Sequence, residues 1–118
     1  MEVRGIAVSV KEVDKAMLDS LKSILEDRFG LLIETYMSDS EGRCSRLKDA
    51  IENLDYAAIC HEAHGLKGSS RNIGANSFAD ICAIIETQAS HEDQTGLQQN
   101  FAALENRLAA VFDELKEL

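Results

Sequence analysis

Seven apolar residues near the end of the chain, Leu97, Phe101, Leu104, Leu108, Val111, Leu115 and Leu118, alternate spacings of four and three. An average period of 3.5 puts all seven on one stripe of an α-helix, and that stripe must be buried against other elements. A strand cannot use the pattern, because its side chains change face at every residue. The chain therefore needs further helices with matching stripes.

Three more long patterns and one short one supply them. From about Asp14 the period becomes helical through Leu18, Leu21 and Leu25, and near Asp27 it gives way to a second pattern. That second segment runs through Ile33, Tyr36, Ser40, Cys44, Leu47, Ile51 and Leu54, with Glu34, Asp39, Glu41, Arg43 and Lys48 elsewhere on the wheel. It reads as one long helix whose middle, "SDSEGR", is so weakly apolar that it is expected to overhang or pack loosely, and Gly42 weakens its continuity. "NLD" then breaks the pattern, and Asp55 is a plausible N-cap for a third helix through Ile59, Ala63, Leu66, Ser70 and Ile73, closed by Gly74. Asn76 or Ser77 is expected to cap a fourth, lined by Phe78, Ile81, Cys82 and Ile85, with polar "QASHEDQTG" as the turn that follows.

Four substantial amphipathic helices with short connections bury their stripes together as a bundle. The fold class expected is all-α, an antiparallel up-down four-helix bundle with a short N-terminal accessory helix. The absence of proline and an aromatic content of 5% suit such aliphatic helix packing better than a β-sandwich. In 118 residues there is room for one core, so the domain reading is an N-terminal arm at 1–13 and a bundle domain at 14–118. The first ten residues, apolar and partly β-branched, have no partner strand in view and fit an ordered arm or a loose tail equally.

The formal net charge of −9, from 21 acidic and 12 basic residues, argues against a general nucleic-acid binder and against an anionic membrane surface. No apolar run approaches a membrane span, and "MEVRGIAVSV" lacks the basic start and long apolar segment of a secretory signal. A cytoplasmic monomer is expected. Cys44, Cys60 and Cys82 are odd in number and contain no C-x-x-C pair, so they are read as reduced thiols, Cys82 in the core with Cys44 beside it.

Chemistry concentrates on the third helix, in "EAHGLKGSSRNIG", Glu62 to Gly74. His64 falls about 100° round the helix from the apolar stripe, at its edge. Ala57, Cys60 and His61 lie on one side of it along the helix and Lys67, Gly68 and Arg71 on the other. An imidazole with an ordinary pKa of roughly 6.5 is substantially unprotonated near neutrality and is a competent phosphoryl acceptor. Lys67 and Arg71 can neutralise the charge such a group brings, although Arg71 reads equally well as a solvated side chain.

"AHGLKGSS", Ala63 to Ser70, resembles the signature of histidine phosphotransfer (HPt) domains: a helical His, Lys at +3, Gly at +4, then small hydroxyl residues. The flanking "NIGA" and the apolar helix after it are also similar to that family, and the likeness covers the bundle from about Asp14 to Leu118. The resemblance implies that His64 accepts a phosphoryl group from the aspartate of one response-regulator receiver domain and passes it to another, within a relay fed by a hybrid sensor histidine kinase. It further implies Lys67 as electrostatic partner, Gly68 as clearance for the docking receiver, Ser69 at the phosphoryl region, and Glu86 as the acidic residue beside the imidazole from the next helix. Ala57, Cys60, His61 and Arg71 would then rim the docking surface. Gly65 departs from the family, where a larger residue is usual, and is expected to loosen its turn.

No cofactor, resident metal or nucleotide site is expected, and the protein would be a phosphocarrier rather than an enzyme. Two other classes remain. One is a binding module that sequesters a receiver or a kinase without transferring phosphate. The other is a metal-binding bundle using His61, His64 and a Glu, but "HEAH" spaces its histidines three apart where the zinc-protease motif needs four. Ser70, in the core stripe, reads as a small residue where helices approach closely, and His91 as a solvated loop residue.

Overall fold

The computed structural model of the protein describes residues 12–118. Its helices are α1 (Lys15–Leu25), a 3-10 turn (Glu26–Arg28), α2 (Phe29–Glu52), α3 (Tyr56–Asn72), α4 (Asn76–Ser90) and α5 (Leu97–Lys116). Each of α2 to α5 packs on its neighbour in the chain, and α2 meets α5 to close an up-down four-helix bundle, with α1 laid against the start of α2. The fold is the one the apolar stripes predict.

The stripes supply the core. Ile33, Tyr36, Leu47 and Ile51 from α2, Ile59, Ala63 and Leu66 from α3, Phe78, Cys82 and Ile85 from α4, and Leu97 to Leu115 from α5 are buried together. The last residue of the α5 stripe does not join them: Leu118 lies past the helix end and is exposed. The weakly apolar middle of α2 does not loosen the packing. Ser40 is fully buried there, and α2 runs unbroken through Gly42. Here α2 packs closely on α3, where the buried Tyr36 Oη lies 2.7 Å from Ser70 Oγ. Burial pushes the Tyr36 hydroxyl above its ordinary pKa.

Local signals place most helix ends. Asp14 and Asp55 cap α1 and α3, accepting from the N–H groups of Met17 and Ala58. Gly74 takes a left-handed conformation (φ 82°) after α3, and its carbonyl accepts from Asp14 N–H, tying the start of α1 to this turn. The expected cap of α4 is not formed. The helix begins at Asn76 with Ala75 as the flanking residue and no side-chain cap, while Ser77 Oγ accepts instead from Arg107 on α5. The following turn is also shorter than expected, since Gln88, Ala89 and Ser90 complete α4 and Ala89 is buried.

Of the N-terminal arm, residues 1–11 lie outside the described residues. Glu12 and Val13 are anchored, both backbone N–H groups donating to the Glu114 carboxylate, and Val13 is buried. Among the described residues no helix is long and apolar enough to cross a membrane. Cys82 is buried and Cys44 half-buried against the same core. Burial pushes their thiols up to about 12 and about 11, so both are protonated at neutral pH.

Candidate functional site

The α3 backbone turns Ile59, Ala63, Leu66 and Ser70 inward, so the next residues around the wheel face outward or sideways. His64 projects into solvent, its side chain 69% exposed. The adjacent helix α4 brings Glu86 up beside it. One carboxylate oxygen, Oε2, lies 2.9 Å from His64 Nδ1, and the other, Oε1, lies 2.7 Å from Lys67 Nζ. Glu86 thus bridges the imidazole and the lysine one turn further along.

This arrangement selects a tautomer. Burial tends to raise the Glu86 carboxyl, but the hydrogen bonds and charges of Lys67 and His64 outweigh it and hold the group below its ordinary range. At neutral pH Glu86 is therefore ionised and has no proton to donate. Nδ1 must be the donor in this pair, and in the neutral ring the lone pair belongs to Nε2. A nucleophilic nitrogen faces solvent while its ring is held from behind.

The remaining positions singled out by sequence fall unevenly. Ala57, His61 and Gly68 are exposed on the same flank of α3 as His64, and a Cβ on Gly68 would meet nothing within 4 Å. Cys60 is half-buried against the core. Ser69 turns back along its own helix, Oγ donating to Leu66 O at 3.4 Å, rather than toward the imidazole. Lys67 and Arg71 are both paired, Lys67 with Glu86 and Arg71 with Asp80 of α4 at 3.3 Å, so the cationic stripe of the sequence is largely neutralised in the fold. Among the described residues no three His, Cys, Asp or Glu side chains converge as a metal ion would require. His91 is exposed at the end of α4, its Nδ1 2.9 Å from Thr87 O.

The family model of the Hpt domain matches residues 31–115, from early α2 to the last turn of α5, with His64 and Glu86 inside the match. The chain belongs to the Hpt domain family. Among solved structures, the crystal structure of histidine-containing phosphotransfer protein B from Pseudomonas aeruginosa is similar, with a TM-score of 0.87 and 31% sequence identity over 90% of this chain and 92% of that one. No curated protein matches the chain. As an Hpt domain the protein is a phosphocarrier of two-component signalling rather than a classical enzyme.

Beside His64 the fold also brings together residues that sequence reading passes over. Arg43 and Arg46 of α2 both reach Glu62 of α3, Arg43 Nη1 at 3.2 Å and Arg46 Nε at 2.9 Å, and Arg43 Nε also donates to Asp39. Glu62 is the one buried charged residue among the described residues, 8% exposed. Gly65 lies in this cluster, and its turn is not loosened: the Arg43 guanidinium fills the space a side chain would take. The signal was present in the sequence as a glycine inside a helix next to the imidazole, a choice that costs about 1 kcal/mol in helix propensity and so calls for an offsetting contact. Which residue occupies it is not readable without the packing of α2 on α3.

Proposed function

We propose that this Hpt domain is a relay intermediate in which His64 Nε2 takes a phosphoryl group from the aspartate of one receiver domain and returns it to the aspartate of another. The observation that carries the reading is the pairing of an exposed imidazole with an ionised carboxylate at its inner nitrogen. In the accepting step the Nε2 lone pair forms the P–N bond as the acyl P–O bond breaks, and the aspartate leaves as carboxylate. Nδ1 keeps its proton throughout, donating it as a hydrogen bond to the Glu86 carboxylate. In the return step the P–N electron pair goes back to Nε2, so the leaving group is neutral imidazole rather than imidazolate.

Lys67 supports both directions. One of its N–H groups holds Glu86, and the other two remain to donate to phosphoryl oxygens. The open space at Gly68 lets a partner's backbone approach, and exposed Ala57 and His61 with Arg71 extend the contact along α3. Receiver domains and the kinase that charges them are the partners this surface suits, acting in the cytoplasm on a monomer. Incubation with a phosphorylated receiver should give a label that is acid-labile and alkali-stable in the wild type and absent in His64→Gln. Label retained by the variant would remove the assignment of His64, and a stable complex without label would favour the sequestering module.

A further inference from the structure

Gly65 follows His64 directly, inside α3. A Cβ built there would lie 2.5 Å from Arg43 Cζ and 2.9 Å from its Nε, with Nη1 closer still, so the guanidinium of α2 rests on bare α3 backbone. Two hydrogen bonds set its orientation, Nε to Asp39 Oδ2 and Nη1 to Glu62 Oε1, both 3.2 Å. These use two of the five N–H donors that a guanidinium carries, and the side chain remains 26% exposed. Two further cations, Lys67 and Arg71, lie on the α4 side of His64, paired with Glu86 and Asp80.

We propose that Arg43 is a partner-binding residue of the surface around His64, its remaining N–H edge receiving a carboxylate of the protein that docks there. The inference rests on the phosphoacceptor reading of His64. A partner that exchanges a phosphoryl group between its aspartate and Nε2 brings acidic groups within a few ångströms of this turn, and a guanidinium fork matches a carboxylate in two-point contact. Asp39 and Glu62 offset the charges of Arg43 and Arg46, so the cluster adds little long-range attraction. Its effect belongs to the docked complex rather than to the approach, and appears in half-saturation rather than in salt-dependent steering.

Gly65→Ala tests this without changing any charge, since the added methyl takes the guanidinium's seat. Transfer is measured from the acetyl-phosphate-charged receiver that serves the wild type fastest, as a function of receiver concentration, with Arg43→Ala and Arg43→Lys in parallel. The half-saturating concentration is expected to rise about tenfold in Gly65→Ala and in Arg43→Ala, and Arg43→Lys to resemble Arg43→Ala because it lacks the fork. The maximal rate should change far less than half-saturation. Folded Gly65→Ala and Arg43→Ala proteins with half-saturation within twofold of wild type would make Arg43 a strut between α2 and α3 and overturn the proposal. Failure of the His64 reading shows elsewhere, as wild-type protein that takes no label from phosphoramidate or from any receiver.

Discussion

Gly65 and Gly68 lie on one helix, three residues apart, and do opposite things. At Gly68 the missing side chain leaves open space on the exposed flank of His64. At Gly65 the gap is already filled from within by Arg43, which in turn pins Glu62 and Asp39. One glycine leaves the surface beside His64 open, and the other lets two helices of the same molecule meet. The flanks of His64 differ in the same way. On the α4 side a single carboxylate, Glu86, orients the imidazole, while on the α2 side a four-charge cluster fastens the helix that carries it.

Breaking the α4 side should cost function and little stability. Glu86→Ala removes the acceptor of Nδ1–H, and about a hundredfold slower labelling of His64 by a phosphorylated receiver is expected. Its melting temperature should barely move, because half-exposed ion pairs contribute about 1 kcal/mol or less. Glu86→Gln, whose amide oxygen can still accept the Nδ1–H hydrogen bond, should lie between wild type and Glu86→Ala. If Glu86→Ala takes label at the wild-type rate, the carboxylate is only a partner of Lys67.

The two glycines separate next. Gly65→Leu drives the guanidinium off the α3 backbone, leaves Glu62 with one partner, and should lower unfolding stability by about 2 kcal/mol in urea titrations. Gly68→Ala meets no neighbour and should raise stability by up to about 1 kcal/mol through helix propensity alone. Equal effects from the two substitutions would erase the distinction drawn between them.

The smallest effects concern protons. Glu86 should titrate, by NMR of its side-chain carbon, below the ordinary glutamate value of about 4.3. Its folded pKa is lowered, so the contact with Lys67 and His64 contributes stability in full above that ordinary value, and the contribution is lost as pH falls through the lowered one. A midpoint at or above the ordinary value would contradict the bridging geometry. Thiol labelling at pH 7.5 should reach Cys44 and Cys82 slowly, because both are protonated and packed.

Much of this was legible from residues alone. The helix stripes, the Asp55 cap and the Gly74 stop are local patterns of side-chain size and polarity, and local patterns survive in one dimension. Errors fell where a tertiary contact replaced a local one. Ser77 gave its hydroxyl to Arg107 instead of capping α4, and the weakly apolar middle of α2 is buried at Ser40, on the helix whose Tyr36 bonds Ser70 of α3. Lys67 and Arg71 read as a cationic stripe because their anions, Glu86 and Asp80, sit on another helix.

By itself, then, the sequence determined the helices, their inward faces and the imidazole at the edge of its stripe with the Lys-Gly run that follows, since each depends on spacing within one helix. Only the tertiary structure decided which nitrogen of His64 is free, through Glu86, and what occupies the gap at Gly65, through Arg43. Both answers come from side chains more than twenty residues away in the chain, whose reach depends on how α2 and α4 pack against α3.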